Sequence, residues 1–331
     1  YATIDVFHLS LSGTTKLRGM LEIVSSASEF ETVPIRRHED VLLRRIYDRM
    51  PLKLDKIRFE NPFHKTFVLL QAHFSRLTLP ADLAQDQRDI LNRVLTLLNA
   101  CVDVMSSGAM LNAIVAMEIS HMCVQAVWDR DSPLRQVPHF TAATIQRCQA
   151  RGIHDVYALA DVLPDMSQHE RDELLLLDKR QLADVATLTN EFPYVDIEFD
   201  ILDKEKLDSA STIILQAKLE RDVDEEDEQP SDPTAIAPFY PSPKMTAWWL
   251  VIGDPGTNSL LSIKRVTIAK TLDVRLEFML PAGMHDKLKL YLMCDSYIGA
   301  DCEWDVPALH VAQGEEDEEL DDEDNIEMPD A

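Results

Sequence analysis

Residues 192–201 read Phe-Pro-Tyr-Val-Asp-Ile-Glu-Phe-Asp-Ile, and they mark the point where the chain changes from one kind of structure to another. Before Pro193 the apolar residues recur every three or four positions, which is typical of amphipathic helices. After it, Val195, Ile197 and Phe199 alternate with acidic residues, which is typical of a half-buried strand. The sequence therefore predicts helices followed by strands, with the border near Pro193.

The first part, residues 1–135, is predicted to be a helical bundle. Asn61-Pro62 has the pattern of an N-cap followed by proline at the first helical position. The segment 82–106 is apolar nearly all round in its second half, and such a helix must be surrounded by others. Shorter patterns predict further helices over 39–50 and 110–128.

Residues 136–192 are predicted to form a small helix-loop-helix module. Thr141 can cap a helix that ends at Gly152, and a second short helix follows. Ser167 and Glu170 have capping-box spacing, and Asp178 can cap the last helix before Pro193. The helix, tight glycine turn and helix around Gly152 resemble a helix-hairpin-helix.

Residues 193–311 carry about seven short strand patterns separated by turn signals such as Gly253-Asp254-Pro255-Gly256. This spacing is typical of an immunoglobulin or fibronectin-III-like β-sandwich. Residues 312–331 are predicted to be an acidic disordered tail. The fold class is therefore multidomain, α then β.

The net charge of −26 is unevenly distributed along the chain. Residues 315–331 carry −11 and residues 220–228 carry −6, which leaves −9 for the remainder. An acidic surface argues against nonspecific binding of a phosphate backbone, so any nucleic-acid contact must be local.

No apolar run approaches the ~20 residues that span a bilayer, so no membrane contact is expected. Tyr1 opens directly into patterned sequence, which indicates a piece of a longer chain.

The motifs of common enzymes are missing from the sequence. It contains no GxxxxGK[ST] phosphate loop, no HExxH zinc motif and no GxSxG nucleophile elbow. The five cysteines are scattered without a CxxC pair, which argues against disulfides and structural zinc. We therefore expect no catalytic residue, metal or cofactor in this chain.

Five residues are candidates for nucleic-acid binding. Arg147 and Arg151 lie beside the helix-hairpin-helix turn, whose backbone amides can hold a phosphate. Gln125, Trp128 and Arg130 lie at the end of the helix predicted over 110–128, where an aromatic ring and an arginine can stack on unpaired bases. The alternatives are an ordinary helical corner and a tryptophan that fills the core.

Short motifs throughout the chain resemble Sec63 homology units. They are found in 7–9, 15–19, 28–31, 34–40, 70–73, 100–104, 116–118, 138–140, 248–254, 259–265, 290–299 and Asp301. Such units follow the RecA-like domains of Ski2-like helicases, and the likeness is closest to the C-terminal unit of the large spliceosomal helicases of the U5 particle. The resemblance covers nearly the whole chain except the tail.

The resemblance implies a helical bundle, a helix-loop-helix and an immunoglobulin-like domain. It implies a nuclear, non-catalytic unit of an ATP-dependent helicase that separates U4/U6 RNA, with the other domains of the parent helicase and splicing factors as partners. In active relatives a "ratchet" helix lies across single-stranded RNA, and residues 110–128 correspond to it by position. Two alternatives remain: a single-stranded RNA-binding module, and the cytosolic unit of the endoplasmic-reticulum translocon protein of the same family.

Overall fold

The computed structural model describes residues 2–223 and 233–315. The described helices are α1 (Ala2–Ser10), α2 (Leu17–Ser25), α3 (Asp40–Asp48), α4 (Pro62–Phe74), α5 (Ala81–Ser107), α6 (Ile114–Gln125), α7 (Ala142–Ala150), α8 (Val156–Val162), α9 (Gln168–Leu175) and α10 (Lys179–Glu191). The described strands are β1 (Val195–Ile201), β2 (Ile213–Arg221), β3 (Trp248–Asp254), β4 (Ser259–Val266), β5 (Thr271–Phe278), β6 (Gly283–His285), β7 (Lys289–Cys294), β8 (Cys302–Asp305) and β9 (Leu309–Val311). Most of the acidic cluster at 220–228 and the predicted disordered tail beyond residue 315 lie outside the described residues.

Helices α1 to α6 pack around one buried apolar cluster. The predicted start of α4 is confirmed: the Asn61 side chain accepts hydrogen bonds from the amides of Phe63 and His64, and Pro62 occupies the first helical position. Helix α5 is 27 residues long and buries apolar side chains along its whole length. It therefore serves as the central support of the bundle.

A buried ion-pair cluster joins α4, α5 and the start of α3. Lys65 has no exposed side-chain surface, and its ammonium donates to Glu39 (2.7 Å), Asp86 (2.7 Å) and the carbonyl of Pro34 (2.5 Å). Arg36 donates to both carboxylate oxygens of Asp86, at 2.5 and 2.9 Å. Each buried charge has an opposite charge beside it, so removal of any one partner would leave an uncompensated charge in the bundle.

The four helices α7 to α10 are held by side-chain caps. Thr141 caps α7, and capping boxes formed by Ser167 with Glu170 and by Asp178 with Gln181 begin α9 and α10. Gly152 follows α7 with a φ of 77°, in the left-handed region that glycine adopts without strain. These predicted local signals are confirmed.

The strands form antiparallel sheets in the order β1-β2-β5, β4-β3-β7-β8 and β6-β9. On β3, Trp248, Leu250 and Ile252 belong to the cluster shared with the three-stranded sheet. The intervening Trp249 and Val251 belong to the cluster of the helical bundle. Both faces of the central strand are therefore buried, which explains why its sequence is continuously apolar instead of alternating.

The backbone also joins the bundle to the four-stranded sheet. The amide of Leu111 donates to the carbonyl of Asn258 (3.1 Å), and the amide of Leu260 donates to that of Ala109 (3.0 Å). At the register shift between β3 and β4, where Leu261 of β4 has no partner on β3, Gly253 lies so close to Leu111 that an added Cβ would lie 2.6 Å from a leucine methyl carbon. The bundle and the sheet therefore form one continuous structure.

The general prediction, helices followed by antiparallel sheets, is confirmed. The immunoglobulin-like topology and the domain borders at residues 135, 192 and 311 stay predictions. The helix predicted over 110–128 is shorter: a 3₁₀ turn covers Leu111–Ala113 and α6 ends at Gln125. It ends there because Ala126 adopts a left-handed φ of 51°, which cannot continue the helix. The short strands β6 and β9 were not predicted.

Candidate functional site

Gln125 lies at the last position of α6 and is buried, with only 1% of its surface exposed. Its side-chain amide donates to the carbonyl of Ser296 (2.8 Å), which follows β7, and to that of Ile236 (3.1 Å), which precedes β3. One side chain thus joins the bundle to two segments of the β part. In this arrangement its donors are already used inside the protein.

Trp128 lies beyond the end of α6 and is 4% exposed. Its indole packs edge-on against the ring of Phe74, with 5.1 Å between ring centroids, and its Nε1 donates to the hydroxyl of Ser75 (2.9 Å). The ring therefore fills the bundle core, and its faces are not open for stacking on a base. Arg130, by contrast, is exposed, with its guanidinium carbon 5.5 Å from the Trp128 ring centroid.

The two arginines of the helix-hairpin-helix are placed differently. Arg147 is partly buried on α7, and its guanidinium donates to the carbonyls of Leu174 (2.7 Å) and Leu175 (3.4 Å) at the end of α9. Arg151 is 40% exposed at its side chain and lies 3.8 Å from Glu173. Only Arg151 is therefore accessible to a ligand without rearrangement.

The hairpin turn itself offers few free donors. The amides of Arg151, Gly152 and Ile153 all donate to carbonyls at the end of α7. At the start of α8, the side chain of Asp155 accepts from the amide of Ala158 (2.8 Å) and places a carboxylate where a phosphate would bind. These contacts describe a closed helical corner.

The structure therefore does not bring the five candidates into one open site. Arg130 and Arg151 are exposed, whereas Gln125, Trp128 and Arg147 are tied to internal partners. Their contact with RNA stays a prediction.

Arg76 is a residue that the sequence did not single out. It follows α4, and its guanidinium donates to the carbonyls of Ala126 (2.9 Å) and Gln125 (3.0 Å), so it caps the end of α6. It also lies over the ring of Phe239, 4.0 Å from the centroid. Burial lowers the pKa of Arg76 to about 10. No motif marks such a cap, because its partners are about 50 residues away in sequence.

A cleft of about 480 Å³ lies between the bundle and α7, with Arg76 on one side. Arg135 also lines it, but the guanidinium is bound to Asp131 at 2.9 Å. The cleft therefore contains one cation without a carboxylate partner among the described residues.

A titratable group also lies where α6 meets β7 and β8. Asp301 accepts a hydrogen bond from the amide of Cys294 (2.6 Å), and its other oxygen lies 3.7 Å from Nδ1 of His121. Burial raises the pKa of Asp301 to about 7 and lowers the pKa of His121. Burial also raises the pKa of Glu118 on the same helix. Three titratable groups with shifted pKa values therefore lie at the contact between α6 and the sheet.

Burial favours the neutral thiol form of the cysteines. Burial raises the pKa of Cys101 to about 12, and it raises the pKa of Cys123 and Cys294 as well. Such thiols stay protonated near neutral pH.

Among residues 2–223 and 233–315, no group of three His, Cys, Asp or Glu is placed to hold a metal ion. No described helix is long and apolar enough to cross a bilayer. The expectation that the chain carries no cofactor stays a prediction.

Comparison with known proteins gives a consistent result. The family model described as the Sec63 Brl domain matches residues 1–307. The chain is 46% identical over 304 residues to the pre-mRNA-splicing factor brr2 of Schizosaccharomyces pombe, an alignment that covers 92% of this chain and 14% of that protein. It is 41% identical over 322 residues to the U5 small nuclear ribonucleoprotein 200 kDa helicase of Homo sapiens, covering 97% of this chain and 15% of that protein. It is 41% identical over 310 residues to the DExH-box ATP-dependent RNA helicase DExH12 of Arabidopsis thaliana, covering 92% and 14%.

Proposed function

This chain belongs to the Sec63 Brl domain family, and from that membership we propose that it is the C-terminal, non-catalytic accessory unit of a spliceosomal ATP-dependent RNA helicase. It acts as a regulatory and protein-interaction platform in the nucleus. Its partners are the other domains of the parent helicase and splicing factors. The chain spans 14–15% of the length of these relatives. In this proposal, ATP hydrolysis and the unwinding of U4/U6 RNA belong to other domains of the parent protein.

One observation carries the proposal: three of the five candidate RNA-binding side chains are bound to partners inside the protein. Gln125 joins α6 to the β part, Trp128 fills the bundle core, and Arg147 caps α9. A helix whose polar groups already have partners inside the protein has few groups left to bind a single strand of RNA as it passes. It is well suited to a rigid scaffold, because its position is determined from several sides at once.

The sheet topology supports an immunoglobulin-like sandwich as the β part of this scaffold. The three-stranded sheet β1-β2-β5 faces the four-stranded sheet β4-β3-β7-β8 across a shared buried cluster. Two antiparallel sheets that share one core are the basis of that architecture. The outer face of the four-stranded sheet is covered by the bundle, so free surface for partners remains on the three-stranded sheet and the outer helices.

The first experiment measures ATP hydrolysis and single-stranded RNA binding by this chain. We expect no hydrolysis above the protein-free blank, with or without RNA. We expect RNA binding no tighter than about 10⁻⁴ M, the weak end of nonspecific binding. In parallel, gel filtration with the separately produced helicase domains of the parent chain should give a stable complex. ATP turnover by this chain, or failure to bind those domains, contradicts the proposal.

Single-stranded RNA binding is the second candidate, and it rests on the exposure of Arg130 and Arg151. If it is correct, Arg130→Ala and Arg151→Ala each weaken RNA binding, and each lowers the steepness of its salt dependence. Arg275→Ala, an exposed change on the three-stranded sheet, is the control and should leave binding unchanged.

A further inference from the structure

One segment of this acidic protein has the opposite charge. Residues 36–58 contain eight Lys and Arg but four Asp and Glu, whereas the whole chain has a net charge of −26. The segment comprises α3 and the turns on either side of it. The segment therefore has a net charge of +4 with His neutral.

These cations are available to a partner. Among the described residues, Arg36 is the one cation of the segment with a carboxylate oxygen within 4.0 Å, from Glu39 and Asp86. Every other Lys and Arg of the segment is exposed. The segment therefore presents exposed cations that have no carboxylate oxygen within 4.0 Å in the described part of the chain, and Arg45 and Arg49 are two of them.

A groove lies along α3 within this surface. Leu42 and Ile46 of α3 line one side, Leu77 and Leu79 line the other, and Arg45 and Arg49 complete the wall. The two arginines are four residues apart, so they are neighbours on the same helix face. We call this feature the α3 groove. Val41, one turn before Arg45, is 52% exposed and extends the apolar surface.

The size and lining of the groove identify the type of ligand. Its volume of about 260 Å³ is below the ~300–1,000 Å³ typical of small-molecule sites, so it suits a side chain better than a cofactor. Its lining contains no aromatic ring, the side chain on which unpaired bases stack in most single-strand binding sites. A single arginine can bind a carboxylate through two parallel hydrogen bonds from its planar guanidinium, which the lysine ammonium cannot do.

We propose that the α3 groove binds an acidic protein segment, which places an aliphatic side chain in the groove and carboxylates on Arg45 and Arg49. This inference rests on the proposed role as a protein-interaction platform, and it names the surface and the chemistry of one partner. Carboxylates at i and i+4 of a helix, or at i and i+2 of a strand, have a spacing similar to that of the two arginines.

The test is a titration of this chain with a short fluorescein-labelled peptide in which leucines are flanked by glutamates, followed by fluorescence anisotropy. Charge reversal at both sites, Arg45→Glu with Arg49→Glu, should weaken binding at least about tenfold, because each arginine contributes a charge-assisted contact. The matched control is Arg88→Glu with Arg275→Glu, two exposed arginines on α5 and β5 whose reversal changes the net charge equally. It should retain wild-type affinity within about twofold.

Two altered peptides separate the groove from simple charge attraction. Glutamine in place of glutamate should abolish binding, and serine in place of leucine should weaken it about tenfold through loss of the buried side chain. If the serine peptide binds as well as the leucine peptide, or if the control variant loses as much affinity as the α3 variant, the proposal is wrong. It is also wrong if a uridine oligomer binds wild type more tightly than the peptide and loses that binding in the α3 variant.

Arg45→Gln with Arg49→Gln provides a second variant that does not add negative charge to α3. It should weaken peptide binding severalfold while leaving the thermal unfolding midpoint unchanged. The outcomes also separate the two proposals. Unchanged peptide binding in the α3 variants refutes the groove alone, whereas ATP turnover by the wild-type chain refutes the platform role.

Discussion

Replacing Trp128 distinguishes a core residue from an RNA-binding residue. The indole is 4% exposed, contacts the ring of Phe74 and donates to Ser75. A tryptophan buries about 200 Å², which at ~25 cal/mol per Å² is worth about 5 kcal/mol. Partial collapse of the site reduces the loss, so Trp128→Ala should lower the free energy of unfolding by about 3–5 kcal/mol.

Two companion variants resolve the origin of that loss. Trp128→Phe keeps most of the apolar contact and removes the hydrogen bond to Ser75, so it should cost about 1–2 kcal/mol. Arg130→Ala removes an exposed neighbour with no buried contact and should change stability by less than about 0.5 kcal/mol. Urea unfolding followed by far-ultraviolet circular dichroism measures all three.

The order of the three variants carries the argument. If Trp128 is a core residue, stability falls in the order Arg130→Ala, Trp128→Phe, Trp128→Ala, and RNA affinity does not follow that order. A cost below about 1 kcal/mol for Trp128→Ala contradicts the assignment of Trp128 to the core, because it means that the indole is not buried in solution. Equal loss of RNA binding in Trp128→Phe and Arg130→Ala supports the RNA interpretation instead.

Three further predictions concern the ion-pair cluster, the titratable carboxylate and the close approach of the sheet to the bundle. Lys65→Met removes a cation from two buried carboxylates and should lower the free energy of unfolding in urea by about 3–5 kcal/mol. Lys289 also pairs with two carboxylates, but at the surface, so the control Lys289→Met should lower it clearly less. Because burial raises the pKa of Asp301 to about 7, ionisation destabilises the fold as pH rises from about 4 to 7. The gain in melting temperature from Asp301→Asn should therefore grow over that range and then level off, and a constant difference contradicts it. Gly253→Ala places a Cβ 2.6 Å from Leu111, so it should lower the free energy of unfolding by about 1–3 kcal/mol and lower the melting temperature with it. An unchanged melting temperature shows that the contact is looser in solution.

The features that the sequence predicts well are those determined by neighbours along the chain. The Asn61 cap, the Ser167 capping box and the Asp178 cap each involve residues within three positions of one another. Their hydrogen bonds form as soon as the helix begins, so the local pattern is sufficient to identify them. The change of period at Pro193 is local in the same sense.

The roles of the candidate site residues depend on contacts that the sequence does not display. Gln125 donates a hydrogen bond to Ser296, 171 residues away in sequence, and Trp128 donates one to Ser75, 53 residues away. A glutamine, a tryptophan and an arginine near a helix end have the same pattern whether they contact RNA or hold a core together. The predicted helix end at residue 128 is wrong for a similar reason, since Arg76, which follows α4, caps the end of α6 from about 50 positions away in sequence.

The apolar run of β3 shows a different limit. Alternation predicts a strand when one face is exposed, as in β1 and β2. In β3 the bundle covers the face that water would otherwise contact, so Trp249 and Val251 are as buried as Trp248 and Leu250. The sequence therefore predicts the strand, but the docking of the bundle on its outer face depends on the tertiary structure.

The distribution of charge gives the α3 groove a function beyond affinity. An acidic partner is repelled by most of this protein, whose net charge is −26, and is attracted at residues 36–58. Such a field orients the partner before contact and raises the rate of productive encounters relative to misplaced ones. Close contacts on Arg45 and Arg49 are less affected by salt than the repulsion from distant acids, because screening acts over about 8–10 Å near physiological ionic strength. The same scaffold that buries Gln125 and Trp128 also keeps α3 in place, since Lys65 on α4 pairs with Glu39 at the start of that helix. A rigid groove on an otherwise repulsive surface therefore selects acidic partners by position as well as by charge.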